Sequence, residues 1–464
     1  MGGHGARGRG GRFSGGGRKK GLQEAFEAEV GAEVEALIGE GAASDIDFEA
    51  LETATRREAL KVAARAIERR LNADTSDHAG PMLPCACGGP AQYGGRHEKT
   101  FETVVGSVTL SRAYYHCDRC EGGFFPRDRA YGLEGGTLSP GVLRMTGLAA
   151  ARVSFEESEE LLRELAGVRV EAKHVERSAE ALGAEIAEDE RTVAEEPPPG
   201  EVLTSTKYLG MDGTGVPGRS EEVEGRAGKQ EDGTARTREA KLCTVWTAEG
   251  RDKNGVPVRD IGSVTYTAAI ESAAMRDTDE ISEFAQRVAR EARRRGFERA
   301  QRHVVLGDGA PWIWNIASEL FPRAIQIVDR YHAKERLSTV AKAIWGPTSE
   351  LGKHWGAERH DDLDAGKTDD ILEALAVHER TNEEARKCVG YIETNRSRMR
   401  YPEFHARGLC TSTGVLEAGC GVAIGVRLKR SGMLWTVRGA NAIIALRCCI
   451  LSRRFEDFWE RRSA

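Results

Sequence analysis

Residues 207–218 read KYLGMDGTGVPG. A short apolar run from Tyr208 to Met211 meets one carboxylate, Asp212, and glycine, threonine, glycine, valine and proline follow. The pattern predicts a buried strand over 202–211 that leaves its sheet at the turn residues, so Asp212 would stand where backbone order ends and open space begins. In α/β sheets such positions often carry chemistry. Aspartate before glycine also caps turns by accepting from backbone amides, so this segment alone leaves a structural and a chemical reading open.

The pattern recurs downstream. Strand signals at 240–248 and 258–270 complete a three-strand meander, with the long charged loop GRSEEVEGRAGKQEDGTARTRE between the first two strands. A helix over about 277–295 leads into QRHVVLGDGAPWIWN (301–315), where a buried strand ends in Asp308. AIQIVDRYHAKERL (324–337) repeats the arrangement with Asp329 and, one helical turn on, His332. Three strands, then helix, strand, helix, strand, helix is the order of an RNase H-like α/β unit, in which the first and fourth strands are neighbours. Asp212 and Asp308 are then expected to face each other. Two such carboxylates repel unless a cation lies between them, and Mg²⁺ takes carboxylate oxygens while keeping water and phosphate oxygens. A pair of Mg²⁺ ions about 3.5–4 Å apart, with Mn²⁺ as substitute, serves in-line phosphodiester displacement. A third acid is available in TSTGVLEAGCGVAIGVRLKR (411–430), where Glu417 falls in the first turn of an expected helix. His332 is open to two readings, a supporting group at the site or a structural partner of Asp329.

Upstream the chain is modular. Of 464 residues, 40% are hydrophobic and 30% charged with a net charge of −6, which fits several globular domains and excludes a uniform polycation. Residues 1–20 combine glycine, arginine and lysine without an acid and predict a disordered basic arm. Over 21–78, Leu22, Phe26, Val30, Val34 and Leu37 mark one amphipathic helix; Leu60, Ala63, Ile67 and Leu71 mark a second, packed on the first or on another copy of the chain. In 79–130, CACGG and YYHCDRC supply Cys85, Cys87, Cys117 and Cys120, two soft ligands from each of two short loops, as a structural zinc site of the ribbon type requires. One residue separates the first pair and 29 separate the pairs, so four unlinked thiols is the competing reading, with His97 and His116 as spare ligands. Over 138–195 two helices flank a short GVRVEA connection after a Ser154-x-x-Glu157 capping box; this is either a scaffold or a helix-turn-helix presenting Lys173, His174 and Arg177 to a major groove. Three prolines near 198 predict a stiff linker. Core segments are expected at 202–344 and 401–464, with a helical stretch at 345–400. Between Arg396 and Arg438 basic residues outnumber acids, and Arg427, Lys429 and Arg430 are candidate contacts to DNA phosphates. Scattered cysteines, no apolar run near 20 residues and no hydrophobic N-terminal segment predict a reduced, cytoplasmic setting.

Taken together, GMDGTGVP, VVLGDGAPWIWN, IVDRYHAKERL, RMRYPEFHARGL, GVLEAG and RLKRSGMLWTVRGANAIIALR resemble the Asp-Asp-Glu transposases of bacterial insertion sequences of the Kra type, in the Mutator-like superfamily. The resemblance runs from about residue 80 to the C-terminus. It implies Asp212, Asp308 and Glu417 as catalytic acids, Asp329 and His332 as an Asp-x-x-His element, and 345–400 as a helical insertion that contacts transposon ends. It further implies double-stranded DNA as partner, a homodimer or higher oligomer on DNA, and association with the bacterial nucleoid. CTSTG stands where a Gly-Ser-Gly turn is more usual before the glutamate. A DNA-binding protein that has kept the fold without catalysis, and an RNase H-like nuclease without strand transfer, are the competing expectations.

Overall fold

The computed structural model describes residues 24, 26–28, 30–38, 47–193, 204–228, 230–253, 255–274, 280–411 and 414–463, and at 36–38, 415–417 and 463 the backbone alone. The basic arm expected at 1–20 and the proline linker near 198 lie outside the described residues. The chain is mixed α/β and divides into two compact units, Met1–Ala149 with Phe155–Val175 and Ala150–Ser154 with Glu176–Ala464. The segment 138–195, expected as one helical unit, is thus shared between the two.

In the first unit helices α1 (Gly31–Ile38) and α2 (Phe48–Ala73) precede a four-stranded antiparallel sheet of β1 (Met82–Pro84), β2 (Pro90–Thr103), β3 (Gly106–Cys117) and β4 (Gly122–Phe124) in sequential order. Asp47 caps α2 by accepting from Glu49 N. Ala64 on α2 is buried with Phe101, Val108, Leu110 and Leu133, whereas Ile67 stays exposed. The buried face is therefore turned by one residue from the Ala63–Ile67 stripe that periodicity suggests. Polar contacts account for the turn: Asn72 donates to Thr109 O and accepts from Ser111 N, and Glu68 accepts from Thr109 N, so this face satisfies backbone groups of β3. Helices α3 (Pro126–Ala130), α4 (Pro140–Ala150) and α5 (Phe155–Leu161) follow. After α5 a single π turn ends at Gly167 in the left-handed conformation. Helix α6 (Ala172–Thr192) then runs on into the second unit.

The second unit is built on a five-stranded sheet of β5 (Thr206–Pro217), β6 (Thr237–Thr247), β7 (Thr265–Ala269), β8 (Arg302–Gly307) and β9 (Ile325–Val328), in the spatial order β9-β8-β5-β6-β7. The first three strands are antiparallel to one another; β8 is parallel to β5, and β9 to β8. Helices cover both faces. On one, Cys243 and Val245 join Phe284 and Val288 of α7 (Glu283–Arg294) and Ile313 of α8 (Pro311–Leu320). On the other, Leu242 and Thr244 meet the backbone at Gly419, in α14. The run Arg330–Trp345 (α9), Glu350–Asp364 (α10), Thr368–Glu379 (α11), Glu383–Asn395 (α12) and Tyr401–Ala406 (α13) fills 330–406 with helix, before α14 (Gly414–Cys420), α15 (Val437–Leu451) and α16 (Phe455–Ser463).

Two features tie the ends of this unit together. A Cβ at Gly183 of α6 would lie 2.1 Å from Ala442 O of α15, so only glycine allows that approach. Arg427 Nε donates to Ala150 O at 2.7 Å, and Arg447 donates to Ala151 O. Glu291, 1% exposed on α7, is held by Arg454 at 2.7 Å, Arg294 at 2.9 Å and the Thr265 hydroxyl at 2.5 Å.

Candidate active site and metal cluster

Strand β5 pairs with β8 only as far as Met211, opposite Gly307, but stays paired with β6 to Pro217. Asp212 therefore does not end the strand, as the turn residues suggested; it marks the point where one neighbour departs. Gly213 and Gly215 keep the strand going, because the space a Cβ would take is filled by the Glu239 and Thr237 side chains of β6. Asp308 is the residue after Gly307, and neighbouring strands lie about 4.8 Å apart, so the two aspartates stand at one height on adjacent parallel strands.

Asp212 is 8% exposed and its Oδ1 accepts from Gly213 N at 2.7 Å. Burial raises its pKa above the usual carboxylate range; hydrogen bonds from the Cys420 thiol and Gly213 N–H oppose this, while the Asp308 charge raises it further and His332 counters. The net shift is upward, the mark of a buried carboxylate with a like charge beside it. Burial, and then the Asp212 charge, push the Cys420 thiol far up, so Cys420 serves as a neutral donor. Cys420 is the last residue of α14, and Glu417 stands three residues before it, one turn back on the same helix. The Glu417 side chain lies outside the described residues.

Asp308 Oδ1 accepts from Ala310 N at 2.9 Å. Gly309 has φ +100°, and a Cβ there would fall 2.3 Å from the ring of Tyr391, whose hydroxyl donates to Asp308 O at 2.9 Å. Asp329, 1% exposed, caps α9 by accepting from Tyr331 N at 2.8 Å, while its own N–H donates to Gly307 O. His332 Nδ1 lies 3.7 Å from Glu335 Oε2, and His332 shares with Asp308 a cavity of about 260 Å³. Cys420, Tyr391 and Gly309 carried no signal as site residues in the sequence: Tyr391 is 83 positions from the carbonyl it binds.

Lys173 and Arg177 are exposed on α6. Arg427 is corrected: it is 0% exposed, bonded to Ala150 O and stacked at 5.2 Å on Trp435, so it packs the interior and is not open to a phosphate. Lys429 is exposed and its Nζ bonds Thr214 Oγ1, two residues beyond Asp212 on β5; Arg430 is half-buried. The excess of positive charge over 396–438 is also reduced in three dimensions. Arg396 pairs with Asp369, Arg400 with Glu403 and Arg438 with Glu180, while Arg398 stacks on Trp314 and donates to Gln326.

In the first unit the Cys85–Gly89 turn, closed by Cys85 N to Gly89 O, and the Cys117–Gly122 turn between β3 and β4 bring four thiols together. The Cys85 and Cys120 sulfurs are 3.7 Å apart, those of Cys87 and Cys117 3.6 Å, and all four lie within 4.8 Å of one another. Zn–S bonds of about 2.3 Å in a tetrahedron put sulfurs about 3.8 Å apart, so the set is able to hold a metal ion such as zinc. The Gly122 N–H favours the Cys120 thiolate, but hydrogen bonds with Cys87, Cys85 and Cys117 outweigh it and push Cys120 up to about 12. Gathered thiols of this kind ionise together only around a cation. The narrow Cys-x-Cys spacing is no obstacle, because Gly88 at φ +80° folds the first loop back.

No helix among the described residues is long and apolar enough to cross a membrane. Comparison with curated proteins finds no match. A family model matches residues 92–454, a span that takes in Cys117, Cys120, Asp212, Asp308 and Glu417, and on that match the chain belongs to the uncharacterised protein family UPF0236.

Proposed function

We propose that this chain is a DNA transposase of the Asp-Asp-Glu type, with an RNase H-like core. The observation that carries the reading is the pair Asp212 and Asp308, level on adjacent parallel strands, with the helix of Glu417 held against Asp212 through Cys420. The strand order, three antiparallel strands followed by two parallel ones beyond the first, supports the fold assignment.

Buried Asp212 and half-buried Asp308 repel each other and keep few protein donors, a donor set suited to hard cations, so Asp212, Asp308 and Glu417 would hold two Mg²⁺ ions, or Mn²⁺. Bound there, the ions supply Lewis acidity to the phosphate and offset charge on the entering and leaving oxygens. The chain's own residues position: Gly213 N–H and the Cys420 thiol fix Asp212, Ala310 N–H and the Tyr391 hydroxyl fix Asp308, and His332 faces the same cavity. Water attacks the phosphorus at the element's end and the P–O3′ bond breaks, freeing a 3′-OH and leaving a 5′-phosphate on the flank. That 3′-OH then attacks a target phosphodiester, whose own 3′-oxygen leaves. The four cysteines would hold one structural Zn²⁺, and exposed Lys173, Arg177 and Lys429 suit phosphate contact.

The test is Asp308→Asn. It keeps size and the bond from Ala310 N while removing the charge, so cutting of labelled element ends in Mg²⁺ should vanish with binding retained. Wild-type protein that binds such ends yet cuts no better than the variant, in Mg²⁺ or Mn²⁺, would refute the enzyme and leave a DNA-binding protein.

A further inference from the structure

Among the cations around the catalytic strands, most are already engaged. Arg330 and Lys334 both bond Asp364, and Lys387 sits between Glu383 and Glu384. Arg336 is different: no carboxylate among the described residues pairs with it. It lies four residues after His332 on α9, hence on the same face, and lines the cavity that Asp308 and His332 share. Its guanidinium sits 5.0 Å from the centroid of the Tyr391 ring, and the hydroxyl of that tyrosine holds Asp308 O. Contact with the ring face uses none of its N–H groups. A forked donor held in place with its hydrogens unspent is matched by a phosphate, which takes two of them side by side.

The size of the cavity limits what can enter. At about 260 Å³ it lies just below the usual range of ligand sites, room for part of one nucleotide. The geometry points to Arg336 as the residue that grips the DNA phosphate next to the scissile one, with the strand threaded from Asp308 along the His332 face of α9. This rests on the proposed transposase reading and names its substrate contact. The guanidinium touches substrate and leaves the metal-binding acids alone, and it orients the strand so that the scissile phosphorus faces Asp212 and Asp308.

Arg336→Gln and Arg336→Lys test it, with Lys61→Gln, an exposed cation paired to Glu58 in the first unit, as control. Binding of a short single-stranded oligodeoxynucleotide of mixed sequence is followed by fluorescence anisotropy across about 50–200 mM salt. Arg336→Gln should lower the magnitude of the slope of log affinity against log salt by about 0.7, one phosphate contact on a single strand, and Arg336→Lys should restore it. Cutting of labelled element ends in Mg²⁺ should fall about tenfold or more with Gln and recover in part with Lys. An unchanged slope overturns the inference even if cutting is lost, because Arg336 would then act only by bracing Tyr391. A reduced slope with cutting intact overturns it too, placing the contact away from the scissile phosphate. Either result leaves the transposase reading standing, whereas wild-type protein with no salt-dependent binding removes both.

Discussion

Gly309→Ala is the sharpest test of how the helical stretch after β9 holds the end of β8. The substitution meets two separate penalties. At φ +100° an L-residue is strained by about 1–2 kcal/mol. The new methyl would also stand 2.3 Å from one Tyr391 ring carbon and 3.0 Å from another, and both ring and strand are packed, so overpacking adds about 1–3 kcal/mol. The expected loss is about 2–5 kcal/mol, read from the urea midpoint with m unchanged. Tyr391→Ala alone loses the hydrogen bond to Asp308 O and half-buried ring contacts, for about 2–3 kcal/mol. In the double variant the clash is gone and only the backbone strain remains, so the combined loss should fall short of the sum by about 1–3 kcal/mol. Losses that add within about 0.5 kcal/mol, or a neutral Gly309→Ala, would refute the account.

Three further outcomes are expected. Cys117→Ser should take metal content, measured by elemental analysis, from about one ion per chain to near none; metal-free wild-type protein purified without chelator would count against the site. Arg427→Ala should destabilise the fold and leave the salt dependence of DNA binding unchanged, while Lys429→Ala should do the reverse and reduce the slope on duplex DNA by about 0.9. At Glu291 burial alone would raise the pKa, but Arg454, Arg294 and the Thr265 hydroxyl outweigh it and hold the carboxyl below its usual 4.5. Because the folded state binds that proton less tightly than the unfolded chain, its stabilisation is complete above the unfolded value and is lost as pH falls through the folded one. Glu291→Gln should therefore cost about 3–5 kcal/mol at neutral pH and flatten the acid side of the unfolding profile in a pH series of urea midpoints.

Residues whose partners lie close in sequence, or whose side chains repeat at the period of one element, were legible from the sequence. The four cysteines were, because each pair is local and two loops need only meet. So was the pairing of the first and fourth strands, because the order of strands and helices already put those two side by side, and with them Asp212 and Asp308. The end of β5 was misplaced: glycine and proline usually break a strand, yet side chains of β6 occupy the room the glycines leave. The basic stretch from Arg396 to Arg438 misled for a related reason. Charge read along the chain omits Asp369 and Glu180, which arrive from other elements, and a buried arginine such as Arg427 looks the same in sequence as an exposed one. Tyr391 was invisible, because nothing local links it to Asp308.

The grip of Arg427 and Arg447 on the carbonyls of Ala150 and Ala151, with Gly183 pressed to Ala442, has a consequence for biosynthesis. Segments 150–154 and 176–192 belong to the second unit but are made long before 427–454, the part that receives them. On the ribosome that early stretch must wait, its seat missing, until almost the whole polypeptide has emerged. Cutting the gene at the prolines 197–199 would therefore separate the five-stranded sheet from the helix that closes it, and the two pieces would regain the fold only by finding each other again.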